Sequence, residues 1–583
     1  MDYAELAGLY EKLESTSKRL EKTKILADFL KECSSKHIDK VILLVQGLVY
    51  AKYEDKKIGI ASKLVVKALN TATGISSDEI EKSWKKTGDL GLSAEDLVKK
   101  KKQHTLFSQD LTVDKVYNTI RKLADVEGTG STDLKMKMIS ELLTSAKPVE
   151  ARYVVRLLLE DLRVGLGEGT IRDAIAVAYY ERTEKKDIDI ENMQGLFGKE
   201  SELTTIRDKI QEAYDLTNDY SKVAAILMDK GLDALGELDM DVLKPIKVML
   251  AQKVKNMTEG FDRVGKPAAL EFKYDGFRML IGKSKDKIII HTRRLENVTK
   301  QFPDVVELIK EHVKADSCII DGEAVGYDPK TKNYVPFQNI SQRIKRKYDI
   351  EQLAKEVPVE LNIFDILYYD GKPVINESYE KRRKIIEKII KEKEFRIRLS
   401  EQTVTDDVEK AELFYKKSLD AGNEGIMLKS LNAPYKPGSR VGHMVKLKPV
   451  METLDLVIVA AEWGEGKRAG WLTSFTVACY DEDSDDYLEI GKFGTGIKEK
   501  EEEGTSFEEL TQLIKPNIIH EKGRQVEIKP ELVVEVKFEE IQKSPSYSSG
   551  YALRFPRLVR VREDRRPDEA SALSQIEGMY KEQ

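Results

Sequence analysis

The chain has 583 residues, of which 41% are hydrophobic and 34% charged, and its formal net charge is -5. Such a length corresponds to roughly three or four domains of ordinary size, and the charge enrichment is compatible with a thermophilic source. The slightly acidic balance excludes a uniformly basic coat for nucleic acid but permits a local basic channel, because a field follows the distribution of charge and not its total.

The first residues, MDYAELAGLYEKLEST, are acidic and amphipathic, unlike a secretory leader. From residue 4 to about 220 apolar residues recur every three or four positions, as in DKVYNTIRKLADVEG and KMISELLTSAKPVEARYVVRLLLEDL, which predicts helices with a break at Pro148. LRVGLGEGTI, residues 162–171, places an arginine, three glycines and a threonine at a helix boundary, where exposed N–H groups can receive a phosphate. Residues 221–265 read as a connection. Beyond Pro267 strands take over in LEFKYDGFRMLIG, KIIIHTRR, SCIIDGEAVGYD and VELNIFDILYYD, with the helical VVELIKEHV between two of them. After about residue 450, LDLVIVAAEW, LTSFTVACYD, YLEIGKFG and LVVEVKFEEIQ predict a compact barrel of OB type, closed by a short helix in PDEASALSQIEGMYKEQ. The expected architecture is therefore multidomain: an all-helical domain over 1–220, an α+β domain over 266–449 and a C-terminal β-barrel OB-fold domain over 450–583.

Cys33, Cys318 and Cys479 lie far apart without a CxxC partner, which argues against structural zinc and for a reducing, cytoplasmic setting. Each reads as a buried inert thiol. No apolar run approaches the ~20 residues of a membrane span, so no membrane partner is expected.

Chemistry concentrates in the central region. In KYDGFR, residues 273–278, Lys273 sits between Phe272 and Tyr274 ahead of Gly276, which allows a tight turn. The string is either a charged hairpin end or a lysine held as a nucleophile between aromatic walls, with Asp275 to orient or move a proton and Arg278 close by. Period-two alternation places Asp321 and Glu323 on one face, Lys446 and Lys448 on another, and sets Glu424 ahead of a strand that ends in Lys429. Several fixed cations facing isolated carboxylates are what polyphosphate chemistry requires, the carboxylates serving Mg²⁺. Phe364 is either strand core or an aromatic face for a base. GxxxxGK[ST], GxSxG and HExxH are all absent, which removes P-loop and common hydrolase readings.

Six motifs occur in order: KYDGFR (273–278), TRRLENVT (292–299), DGE (321–323), NIFDILYYDG (362–371), EGIMLK (424–429) and KLK (446–448). With them the chain resembles, over essentially its whole length, the archaeal ATP-dependent DNA ligases of the lysine-nucleotidyltransferase superfamily, related to eukaryotic replicative ligases. The resemblance implies nick sealing in replication, repair and recombination. Lys273 would take AMP from ATP, pass it to a 5′-phosphate, and a 3′-hydroxyl would displace it. It also implies that Glu271 reads the adenine edge, Phe364 stacks on the base, and Arg278 and Glu323 hold the ribose region. Arg293 would lie near the phosphate path, Arg440 and Lys429 beside the nucleotide, and Lys446 and Lys448 against the α-phosphate. Asp275 and Lys448 would assist the chemistry, Glu323 and Glu424 would serve Mg²⁺ (or Mn²⁺), and Asp321 would brace. Met444-Val445 stands where relatives often have Trp-Leu, a change in the pocket wall that a flexible Met can fill.

The basic, aromatic-laced stretch at residues 541–566 carries seven Lys/Arg against Glu563 and Asp564, which suits nucleic-acid backbone contacts or a solvated barrel strand. Within it REDR, residues 562–565, resembles the family's final motif, so Arg562 and Arg565 would reach the β- and γ-phosphates, with Arg in place of the usual Lys. KFGTG (492–496) and Lys467-Arg468 resemble DNA-contacting elements. A rotation of the C-terminal domain between steps, closing around nicked double-stranded DNA, is implied. QHTLFS, residues 103–108, resembles a sliding-clamp box over Gln103–Phe107, with Leu106-Phe107 where paired aromatics are usual. A monomer is expected. The rival readings are an RNA ligase or capping guanylyltransferase, which the long helical N-terminal region opposes, and a non-catalytic duplex-binding protein, which the joint presence of Lys273, Glu424, Lys446 and Lys448 opposes.

Overall fold

The computed structural model describes the chain except Asp55, Gln583 and residues 102–108, 198–200, 336–339, 341–342, 345–347, 439–441, 450–452, 483, 485 and 500–503. The clamp-like segment Gln103–Phe107 and Arg440 thus lie outside the described residues. Two compact units emerge: Met1–Ser77 with Ala94–Pro449, and Asp78–Ser93 with Val450–Gln583. The sequence gives no hint that residues 78–93 leave the helical region. Gly88 (φ +66) lies close against the rest of the second unit, where a Cβ would stand 3.3 Å from the Ala469 side chain.

The first unit begins with helices, the last of which spans Tyr220–Lys230. Side-chain caps start several of them: Thr112 accepts from the Lys115 N–H at 3.1 Å, and Asp219 from the Ser221 N–H at 2.9 Å. Pro148 is the first residue of the helix Pro148–Leu158, where its missing N–H costs nothing. The glycine-rich loop leads into the helix Glu168–Glu184, but the start of that helix carries its own anion: Glu168 is ion-paired with Lys52 at 2.8 Å and with Lys247. That loop braces the protein internally, and Lys22 donates to the Gly165 carbonyl at 3.1 Å.

The strands that follow are, in chain order, β1 Gln252–Val254, β2 Ala268–Lys273, β3 Phe277–Ser284, β4 Lys287–Thr292, β5 Ser317–Gly326, β6 Val359–Tyr369, β7 Lys372–Pro373, β8 Ile397–Leu399, β9 Gln402–Thr405, β10 Gly425–Ser430 and β11 Met444–Leu447. They form two sheets, ordered β1-β11-β10-β2-β9 and β4-β3-β5-β6-β7, with β8 beside β6. LEFKYDGFRMLIG is therefore not one hairpin: the chain leaves one sheet at Lys273 and enters the other at Phe277. Alternation sorts each sheet into two faces. Leu270, Phe272, Ile426, Leu428, Val445 and Leu447 pack under the helices Met257–Val264 and Val408–Asp420. Met279, Ile281, Ile320 and Ile363 pack under the helices Pro303–His312 and Tyr379–Ile389. Between the sheets Leu280, Ile319 and Leu367 meet Met427, Met444 and Tyr435.

The second unit has β12 Thr453–Trp463, β13 Leu472–Asp481, β14 Asp486–Phe493, β15 Ile518–Lys522, β16 Gln525–Ile528, β17 Val533–Lys537, β18 Ile541–Lys543, β19 Tyr551–Leu553 and β20 Arg557–Val561. A seven-stranded sheet runs β14-β13-β12-β16-β15, and β17 joins β12 to β20; β18 and β19 pair separately. The long β12 shares one edge between β17 and β16, so the sheet branches, and the pairings among the described residues do not close into a barrel. The helix Leu573–Glu582 ends the chain.

The three cysteines are buried, and burial pushes their thiols up, Cys33 to about 11 and Cys318 and Cys479 to about 12, which leaves them inert. No helix among the described residues is long and apolar enough to cross a membrane.

Candidate active site

The faces of the two sheets that look toward one another carry the predicted polar residues. On β2 the apolar alternation puts Phe272 outward, where its ring lies 5.0 Å from Phe414, and leaves Glu271 and Lys273 facing inward. Phe272 and Tyr274 thus do not wall the lysine; the Tyr274 hydroxyl instead accepts the Glu401 N–H at 3.1 Å. Register pairs Lys273 with Gly425, and the Glu424 N–H donates to the Lys273 carbonyl at 2.9 Å. The Lys273 ammonium is hydrogen-bonded to Glu424 Oε2, and Lys448 Nζ lies 2.7 Å from the same oxygen. Burial pushes the Glu424 carboxyl up, but the two ammonium groups overcome it and hold it at about 2. Gly425 makes this closeness possible. Its φ is +136°, and a Cβ there would come 2.1 Å from the Leu447 carbonyl oxygen.

The second sheet supplies the opposite wall. Arg278 on β3 pairs in register with Glu323 on β5. Its guanidinium forms a two-pronged bond to Asp321, 2.9 and 2.6 Å, and the Tyr435 hydroxyl donates to Asp321 at 2.7 Å. Asp321 therefore braces Arg278. Burial opposes the Arg278 charge, and Asp321 and Tyr435 more than restore it. Glu323 is different: burial pushes its carboxyl up to about 8, with Lys273 and Arg278 pulling the other way. Gly276 serves here by close approach and not by a tight turn, since its φ is not positive and a Cβ would stand 2.6 Å from the Ala324 carbonyl and 2.8 Å from Glu323 Cγ.

Phe364 owes its direction to a β-bulge. β5 and β6 pair Gly322 with Ile363 and Asp321 with Asp365, so Phe364 is the extra residue. The bulge resets the alternation: Ile363 and Ile366 both join the core under the helices, while Phe364 is only partly buried. Its ring has the Arg278 guanidinium 5.3 Å and the Lys429 ammonium 4.7 Å from its centroid. Lys429, buried at the far end of β10, makes a 2.5 Å ion pair with Glu271. Met444, at the position of the altered wall, packs with Met249 and Tyr435 between the sheets, and Val445 turns to the opposite face.

The remaining predicted residues are spread more widely. Lys446 pairs in register with Met427 and Lys253 and is partly buried, as is Asp275. Arg293 is exposed in the turn after β4. In the second unit Arg562 is bound to Asp455, 2.9 and 3.0 Å, and to Asp564, while Arg565 lies 3.3 Å from Asp455. Arg468 pairs with Glu499 at 2.7 Å and Lys492 with Glu462 at 2.6 Å. Sequence reasoning missed Tyr379, Gln402, Tyr435 and Arg382, which surround Glu271, Asp321 and Asp365. They stand at a helix start, on an edge strand and in a loop, where no periodicity marks them.

Family models match three stretches of the chain: DNA ligase N terminus over residues 2–176, ATP dependent DNA ligase domain over 248–448, and ATP dependent DNA ligase C terminal region over 468–565. The chain is 49% identical over 585 residues to a DNA ligase of Nanoarchaeum equitans, covering 100% of this chain and 99% of that one. It is 42% identical over 582 residues to a DNA ligase of Thermococcus onnurineus, covering 100% and 98%. The solved structure Pmar-Lig_PreS3 shares the fold with a TM-score of 0.58 at 17% identity, over 96% of this chain and 99% of that one. The chain belongs to the archaeal ATP-dependent DNA ligases, enzymes that seal nicks in duplex DNA through a lysyl-AMP and then a DNA-adenylate intermediate.

Proposed function

We propose that Lys273 is the residue that carries AMP, and the observation behind this is its ammonium, held by Glu424 on the inward face together with Lys448. An ammonium has no lone pair to donate, so the proton shared with Glu424 must leave Nζ before attack. Nζ then bonds to the α-phosphorus of ATP, the bond from that phosphorus to the bridging oxygen breaks, and pyrophosphate leaves. Lys446 and Lys448, on alternate positions about β11, neutralise the α-phosphate. Arg278, fixed by Asp321, and Glu323 orient the ribose, Phe364 stacks on the base, and Glu271 reads its edge. Asp275 assists the transfer, Arg293 serves the phosphate path, Lys429 and, by its sequence position, Arg440 serve the nucleotide, and Arg562 and Arg565 serve the β- and γ-phosphates. The AMP passes to the 5′-phosphate of a nick, where the 3′-hydroxyl displaces it; positioning supplies much of the rate.

The carboxylates present fit a hard divalent cation. Glu323, pushed up by burial, gains an ionised form beside a cation, and Glu424 lies across from it with its charge already maintained. No group of three or more His, Cys, Asp or Glu stands ready to hold a metal among the described residues, so phosphate oxygens and water would complete the shell, as Mg²⁺ commonly accepts. Glu323 and Glu424 would hold Mg²⁺, or Mn²⁺ in its place, and the bound ion supplies charge neutralisation at the phosphates. The branched sheet of the second unit, with its long shared β12, supports reading that unit as an OB-type domain. The Gln103–Phe107 segment would recruit a sliding clamp, on the strength of its sequence.

The test is incubation with ATP radiolabelled at the α-phosphate. The parent should become labelled and discharge the label as nicked duplex is joined, and Lys273→Ala should stay unlabelled. A labelled Lys273→Ala would assign the adduct to another residue.

A further inference from the structure

Glu271 sits in a closed set of hydrogen bonds that the site chemistry above does not use. Glu271 is 1% exposed. Oε1 accepts from the Tyr379 hydroxyl and from Gln402 Nε2 at 3.0 Å, and the same Gln402 nitrogen donates to the Tyr379 oxygen at 2.7 Å. Arg383 lies 3.6 Å from Oε1, and Lys429 pairs with Oε2 at 2.5 Å. Tyr379 is itself 2% exposed and opens the helix Tyr379–Ile389, its N–H bonded to the Ala433 carbonyl at 3.0 Å, while Gln402 begins the edge strand β9 directly opposite Glu271. Three elements distant in sequence thus converge on one carboxylate.

An ionised carboxylate offers about four lone-pair positions and no donor. Tyr379 and Gln402 fill the two on Oε1, while Lys429 meets Oε2 as an ion pair without a hydrogen bond. Acceptor capacity is left on Oε2, on the Lys429 side, where the Lys429 ammonium is 4.7 Å from the centroids of both the Phe364 and the Tyr379 rings. An acceptor oxygen beside a stacked base accepts from a 6-amino group and repels a 6-oxo group. A neutral or rotated carboxyl would lose that discrimination, because its own O–H could donate to the oxo group.

We propose that Tyr379 and Gln402 are positioning residues that fix Glu271 as an acceptor and thereby set the choice of adenine over guanine nucleotides. The proposal rests on the reading that Glu271 faces the base. Tyr379 and Gln402 act through Glu271, so their removal is felt in nucleotide choice and not in the transfer step.

The experiment measures lysyl-nucleotide formation by the full-length enzyme with ATP and with GTP, each over a range of concentrations, for Tyr379→Phe, Gln402→Leu and Glu271→Gln, with melting curves alongside. The expected result is a loss of about tenfold or more in the ATP-to-GTP preference in all three, carried by KM, with the rate at saturating ATP within about twofold of the parent for Tyr379→Phe and Gln402→Leu. Preference lost in Glu271→Gln but kept in both other variants overturns the proposal and leaves the Glu271 reading intact. Preference kept in all three overturns that reading and the proposal together. Equal losses for ATP and GTP, with lowered melting, show a merely structural role and also overturn it. Should one variant fail to fold, the other decides.

Discussion

The ion pair between Arg382 and Asp365 is the place where removal of one side chain should cost most. Arg382 is 1% and Asp365 2% exposed. The guanidinium donates to both carboxylate oxygens, at 2.7 and 3.1 Å, and its remaining nitrogen donates to the Glu377 and Ala433 carbonyls at 2.5 and 3.1 Å. Arg382→Met keeps much of the volume but strands the Glu377 carbonyl together with the carboxylate, which among the described residues retains the Ile366 N–H at 2.9 Å; the Ala433 carbonyl keeps the Tyr379 N–H at 3.0 Å. Breaking a buried pair from one side costs about 3–5 kcal/mol, and the one orphaned carbonyl adds on the order of 1 kcal/mol after relaxation. A loss of about 4–6 kcal/mol is therefore expected. Replacing both partners, as Asp365→Leu with Arg382→Met, should recover at least half of it, because the stranded charge is gone. The assay is urea unfolding of parent, both single variants and the double. Hydrogen exchange on the helix Tyr379–Ile389 would accompany it, since a chain of several domains need not unfold in one step. A loss below about 1 kcal/mol in Arg382→Met, or additive losses in the double variant, would refute the reasoning.

Gly425→Ala forces a Cβ against the Leu447 carbonyl at a φ that L-residues avoid; it should destabilise by more than about 1 kcal/mol and abolish lysine labelling, which gel assay and melting report separately. Burial pushes the Asp215 carboxyl up to about 6, above an unfolded value of about 3.9, so the folded state holds this proton more tightly. The stability it contributes is present below about pH 4 and is lost as pH rises through about 6. Asp215→Asn should gain on the parent by up to about 3 kcal/mol between these limits and keep the gain at pH ~7, and parallel melting profiles would count against it. Burial pushes the Glu168 carboxyl up, yet Lys247 and Lys52 hold it down at about 2, so its stabilisation is present above an unfolded value of about 4.3 and is lost as pH falls toward 2. With its side chain 37% exposed, Glu168→Gln should cost no more than about 1 kcal/mol at neutral pH and nothing near pH 2.

How much of this was legible in the sequence depends on the kind of signal. Alternation revealed Asp321 with Glu323, because one face of each strand is packed under helices and the other is not; Glu271 was marked only by the resemblance. In the sequence Phe272 and Tyr274 read as walls of Lys273, and the alternation of β2 instead turns Phe272 to the opposite face. Phe364 was ambiguous for a physical reason: a bulge breaks the alternation at that residue, and no composition rule announces a bulge. Tyr379, Gln402, Tyr435 and Arg382 were illegible because each meets its partner across tens or hundreds of residues, and a tyrosine or arginine in a loop or at a helix start has no periodicity to betray it. The grouping of residues 78–93 with the second unit was hidden in the same way, since their helical pattern is continuous with that of their neighbours.

The contiguous motif and the scattered ones therefore have different origins. Lys273 ends β2 in one sheet and Phe277 begins β3 in the other, with only Tyr274, Asp275 and Gly276 between. Four Cα steps of 3.8 Å limit that crossing to about 15 Å. Lys273 and Arg278 cannot drift apart while both sheets stay folded, so they occur as one short string. Glu424 and Lys448 reach Lys273 through the pairing of β10 with β2 and with β11, and Glu323 reaches Arg278 through the pairing of β3 with β5. These contacts depend on register, and a shift of one residue would turn each side chain to the opposite face. Gly425 and Gly276 stand at the two points where the backbones approach too closely for a Cβ. The covalent crossing sets which groups meet, and the two glycines set how near they come.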